Sequence, residues 1–145
     1  MRLKKILLAG ALLALAAGGV TAAEQPIEAR EAMMKNIARS MGALGAIAKG
    51  EKPYDAEVVK TSLSTISTNI KSFPDQFPEG SQEGSEASPK IWENMADFKA
   101  KAASLGADAD ALLASMPADQ AAVGAALGKL GPHCGDCHQA YRLKK

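Results

Sequence analysis

Cys134-Gly135-Asp136-Cys137-His138, with Tyr141 and Arg142 close behind, is the stretch whose residue types and spacing can do chemistry. Two thiols separated by two residues, with an imidazole directly after the second, form the C-x-x-C-H pattern of covalent c-type haem attachment. The thiols would add across the porphyrin vinyl groups as thioethers, and His138 would ligate the iron. On a helix, residues three and four apart share a face, so Cys134, Cys137 and His138 can reach one planar macrocycle. A redox-active dithiol, a structural disulfide or half of a zinc site would use the same residues. A dithiol enzyme wants a low-pKa cysteine at a helix start. A disulfide across so short a loop stabilises little. Zinc would need further ligands, and His133 is the one other histidine in a chain with only two cysteines.

Four segments with helical periodicity are available to position the motif. The first covers residues 26–49, where Ile27, Met34, Met41 and Ala48 recur every seven residues, with Ile37 and Leu44 between them. Gly50 and Pro53 end it. Asp55 is the expected N-cap of the second, which carries Val59, Leu63, Ile66, Ile70 and Phe73 on one stripe and stops at Pro74. Residues 73–88 are rich in Pro, Gly and Ser and read as one long crossover connection. Ser88-Pro89 opens the third helix, which presents Ile91, Met95, Phe98, Ala102 and Leu105 beside Trp92 and continues or restarts after Gly106. The fourth begins at Ser115 or Asp119. There Val123, Leu127, Leu130, Cys134, Cys137 and Tyr141 alternate spacings of four and three, which sets both cysteines on the core stripe. Pro132 should interrupt and kink this helix, because it removes the donor to the Gly128 carbonyl. The expected architecture is all-α: an antiparallel four-helix bundle with covalently bound haem near the C-terminus. A haem would supply much of so small a core, so the apoprotein is expected to fold poorly.

Residues 1–23 read as a secretory signal, a basic start followed by an apolar run and a small-residue cleavage pattern after Ala22 or Ala23. The apolar run, about a dozen residues, is shorter than the ~20 that span a bilayer, so the processed chain of residues 24–145 should have no membrane span. Arg2, Lys4 and Lys5 fall in the signal, so 14 of the 17 basic residues remain against 16 acidic ones. That balance gives no basic footprint for nucleic acid or anionic membrane.

The chain resembles the cytochrome c-prime superfamily, the class II cytochromes c, over essentially its whole processed length. The resemblance rests on Cys134-Gly-Asp-Cys-His138 with Tyr141-Arg142, on residues 44–55 (LGAIAKGEKPYD), and on Pro89-Lys-Ile-Trp-Glu93. It implies one haem c per chain and a distal position, four residues after a first-helix arginine, that decides the function. Arg30 matches that arginine and Met34 the distal position. A methionine ligand there implies a low-spin, non-enzymatic electron carrier serving periplasmic redox partners. An apolar blocker would imply five-coordinate, high-spin iron that binds NO or CO. Met34 lies on the apolar stripe, where methionine also serves as plain core filling; Met33 is the fallback ligand and Met41 stands two turns away. Arg30 lies on the same stripe, facing either a haem propionate or solvent by snorkelling. Arg142 is another candidate haem-edge contact, or one member of the basic C-terminal turn. The resemblance also implies a homodimer through helices one and two.

Overall fold

The computed structural model describes residues 24–144; the signal segment and its cleavage points lie outside the described residues. The first helix, α1 (Glu24–Ala48), buries Ile37, Leu44 and Ile47 along the anticipated stripe. It closes in a Schellman arrangement, with Gly50 N–H on the Ile47 carbonyl at 2.9 Å and Glu51 N–H on that of Ala46 at 2.9 Å. Gly50 has φ 75°, the left-handed conformation that favours glycine. Helix α2 (Ala56–Ser72) begins as expected at Asp55, whose carboxylate accepts from the N–H groups of Glu57 and Val58. It buries Val59, Leu63, Ile66 and Ile70, then tightens into a 3-10 turn, Phe73–Gln76, at Pro74.

After the crossover loop the chain departs from expectation. The third helix is two pieces, a single turn α3 (Lys90–Glu93) and α4 (Met95–Ala114), separated at Asn94 with φ −137° and ψ 54°. Asn94 breaks the helix because its amide oxygen accepts from Asp97 N–H and so caps α4 itself. Beyond it α4 runs unbroken through Gly106, where a Cβ would lie 3.0 Å from Lys71 Cγ; glycine lets α4 approach α2. Of the two expected starts for the last helix, Asp119 is the one used. It caps α5 (Gln120–Tyr141) by accepting from Ala122 N–H at 2.8 Å.

Pro132 does not interrupt α5, contrary to expectation; the helix continues through it to Tyr141. Pro132 and Gly128 both lie on the exposed side of α5, where water can replace the lost hydrogen bond. The four long helices pack in a closed ring, α1 on α2, α2 on α4, α4 on α5 and α5 on α1. This is the four-helix bundle the periodicities call for. All three phenylalanines, the single tryptophan and one of the two tyrosines gather at one end of it. Phe77 stands 4.9 Å from Phe98, and Phe98 stands 5.3 Å from Tyr141, both edge to face.

Candidate haem site

Beside that aromatic cluster the bundle opens into a cavity of about 840 Å³. That volume lies in the upper part of the range for ligand pockets, roughly 300–1,000 Å³. Helix α5 contributes Cys134, Cys137 and His138 to its wall, and α1 contributes Arg30, Met34, Ile37 and Met41. Of the five described methionines only Met34 and Met41 line it; the fallback ligand Met33 does not. Ile70, Phe73, Phe77, Phe98 and Leu105 supply much of the apolar remainder.

Both thiols are half-buried and free. Burial pushes each thiol up from its ordinary pKa; for Cys137 the nearby Lys101 pulls the other way. Raised thiols are the reverse of what a dithiol catalyst needs. His138 sits at the exposed rim, yet partial shielding of its ring, and secondarily the charge of Arg142, lower its pKa below the usual imidazole value. The neutral ring is the form that ligates a metal. No group of three or more His, Cys, Asp or Glu poised to hold a metal ion occurs among the described residues. Two half-buried thiols and a neutral imidazole on one helix face, at the wall of a large apolar cavity, fit a covalently held haem.

Neighbouring polar residues fix the walls. The Tyr141 hydroxyl donates to Asp97 Oδ2 at 2.5 Å and is pushed up to about 12 by burial and by that carboxylate. His133 bonds Asp108 through Nε2 at 2.8 Å, and Lys129 reaches the same carboxylate at 2.9 Å, so α5 is tied to α4 just before the cysteines. Hydrogen bonds from Lys129 and His133 hold the Asp108 carboxyl below its ordinary range. Arg142 stands at the cavity rim with its guanidinium on Glu86, Nε at 2.7 Å and Nη2 at 2.5 Å.

Arg30 is buried at 5% exposure, so it does not snorkel. Its Nε donates to the Gln76 carbonyl at 2.6 Å, its Nη1 to the Ser81 carbonyl at 2.8 Å and its Nη2 to Ser81 Oγ. It lines the cavity from that anchored position. Sequence reasoning marked Arg30 as anomalous without finding these partners, since residues 76–81 show no periodicity that would place them. It also passed over Lys35 and Lys101, which line the cavity. Lys101 lies three residues after Phe98 and four before Leu105, on the edge of the α4 stripe, so that signal was available.

A family profile described as Cytochrome C' matches residues 25–142. The chain belongs to the cytochrome c' family. It is therefore a c-type cytochrome with covalently attached haem c. It is 61% identical over 145 residues to a cytochrome c-556 of Agrobacterium fabrum, covering 100% of this chain and 99% of that one. Among solved structures, cytochrome c' from Rhodopseudomonas palustris superposes with a TM-score of 0.77 at 35% identity, covering 83% of this chain and 97% of that chain. An NMR-validated structural model of oxidized cytochrome c556 from the same organism superposes with a TM-score of 0.74 at 32% identity, covering 83% and 97%. The cytochrome c' fold thus spans the whole described bundle. Within the described residues no helix is long and apolar enough to cross a membrane.

Proposed function

We propose that this cytochrome is an exported, periplasmic single-electron carrier rather than an enzyme, with Cys134 and Cys137 as the thioether anchors, His138 as proximal ligand and Met34 as distal ligand. The observation that carries this reading is the composition of the cavity wall. One cavity takes the cysteines and the histidine from α5 and a half-buried methionine from α1, while the neighbouring Met33 stays outside it. Bound haem supplies a one-electron iron couple. The chain's own residues set where that couple works. The Met34 thioether, softer than a second imidazole, favours the ferrous state and raises the potential relative to a bis-histidine site. The aromatic end of the bundle limits water, which also tunes the potential. The high relative similarity to a protein named cytochrome c-556 supports the same branch of the family.

Arg30 and Arg142 line the cavity at positions from which a haem edge is reachable, but the bonds they make run to the crossover loop. Partners in this reading are periplasmic redox proteins, with pairing of two copies through α1 and α2. Val58, near the start of α2, is one of the exposed large hydrophobic residues and suits such a contact. The test is an absorption spectrum of the oxidised and reduced holoprotein from a host that matures c-type cytochromes. A low-spin spectrum with a sulfur-to-iron charge-transfer band is expected. A high-spin spectrum with rapid CO uptake would instead establish the five-coordinate, gas-binding alternative.

A further inference from the structure

Helices α1 and α5 carry the two axial candidates, and one loop is fastened to both. At its first end, residues 76–81 are held by all three nitrogens of Arg30, one turn ahead of Met34 on the same face of α1. The guanidinium also lies 4.0 Å over the Phe77 ring. Ser81 is buried at 2% exposure and uses its hydroxyl twice, accepting from Arg30 and donating to the Pro78 carbonyl at 2.6 Å. Trp92 secures the same segment from α3, its indole N–H shared between the carbonyls of Phe77 at 3.2 Å and Pro78 at 3.1 Å.

At its other end, the loop pairs with the residues that follow His138. Ser88 N–H bonds the Tyr141 carbonyl at 2.9 Å, Leu143 N–H bonds the Glu86 carbonyl at 2.9 Å, and Ala87 bridges Arg142 in antiparallel fashion. Between the two ends, Gly84, Ser85 and Glu86 line the cavity.

We propose that residues 76–88 form a strap that sets the spacing between the Met34 and His138 helices, and that Arg30 is the positioning residue that fastens its distal end. This rests on the reading of Met34 as distal ligand. A sulfur–iron bond would depend on the spacing of α1 and α5, so a segment fastened to both helices bears on it directly. The strap fixes that spacing because Arg30 lies four residues before Met34 and Tyr141 three residues after His138. Arginine suits the role and lysine does not. A planar fork can meet a side-on carbonyl, a second carbonyl and a hydroxyl while stacking on a ring; an ammonium on a flexible stem cannot.

The test uses the holoprotein and two variants, Arg30→Lys and Ser81→Ala. The readouts are the high-spin fraction and hydrogen exchange at the Ser81 and Ser88 amides. Arg30→Lys should raise the ratio of methionine-off to methionine-on iron about tenfold, the size expected from losing charge-assisted bonds to buried acceptors. Ser81→Ala should raise it about threefold, because one bond is lost. Both should speed exchange at the two amides. If Arg30 serves only as a positive charge for a propionate, Arg30→Lys behaves as wild type and Ser81→Ala changes nothing; that pattern overturns the strap. Should Arg30→Lys fail to fold, Ser81→Ala decides the matter alone. Should the wild type itself prove high-spin, the Met34 reading fails, and the strap is judged on exchange, where unchanged rates in Ser81→Ala refute it.

Discussion

Replacing Met34 with alanine should turn the iron from low-spin to high-spin and open it to carbon monoxide. Met34 is half-buried on the cavity wall, and Met41 is the one other described methionine that shares this wall. Met41 lies seven residues on, about 10 Å further along a helix that rises 1.5 Å per residue. It therefore cannot take over without moving α1 bodily. With the sixth position vacated, the sulfur-to-iron charge-transfer band should disappear. If the methionine-off form is about 1% of the wild type, the apparent affinity for CO should rise about a hundredfold in the variant. Met41→Ala is the control and should stay low-spin. CO titration followed by absorption reads both variants. An unchanged spectrum in Met34→Ala would remove Met34 from the iron.

The second large effect concerns folding. In a Cys134→Ala, Cys137→Ala double variant the haem can no longer be retained covalently, and the bundle should lose much of its helicity and its cooperative melting. The cavity volume sets the scale. A haem would cover the apolar wall of a cavity of about 840 Å³, and without it that wall faces water or empty space. A typical domain holds only ~5–15 kcal/mol of total stability, so losing the contacts of so large a group removes a substantial fraction of it. The walls then collapse or take in water, and Met34, Phe77 and Phe98, which line the cavity, lose the partner they would pack against. The α2–α4 contact, tied through Ser67 and Lys71 to Asp110, none of which lines the cavity, should be the last part to lose structure. Far-UV dichroism against temperature gives the result directly. Native helicity and an unchanged melting temperature in the variant would show that the bundle stands without the group.

The parts of this architecture that obey local rules could be read from the residues themselves. Asp55 and Asp119 cap the helices they precede because their carboxylates meet free N–H groups two and three residues on. The stripe of Val123, Leu130 and Tyr141 turns both cysteines inward because 3.6-residue periodicity leaves no other face for them. The C-x-x-C-H spacing identifies the cofactor for the same local reason. Asn94 was legible in principle, being a capping residue three before Asp97, but it sits inside a convincing apolar stripe that argued for continuity. Pro132 shows the opposite error. A local rule forecasts an interruption, and the exposed position of Gly128 and Pro132 leaves water to take the freed acceptor. The partners of Arg30 were beyond reach, since they lie 46 and 51 residues away in a segment without regular structure. Sequence reasoning could say that a cation on an apolar stripe needs partners; only the folded chain says that a loop provides them.

Whether the Met34 sulfur faces the iron is the claim on which the carrier reading turns, and the methionine methyl groups report on it most directly. In reduced, diamagnetic holoprotein labelled with [¹³C-methyl]methionine, a thioether bound to iron holds its methyl over the macrocycle, inside the ring current. One methyl resonance should be displaced far upfield of the others, and it should vanish in Met34→Leu while persisting in Met41→Leu. If no methyl is displaced, or if the displaced one belongs to Met41, Met34 is not the ligand.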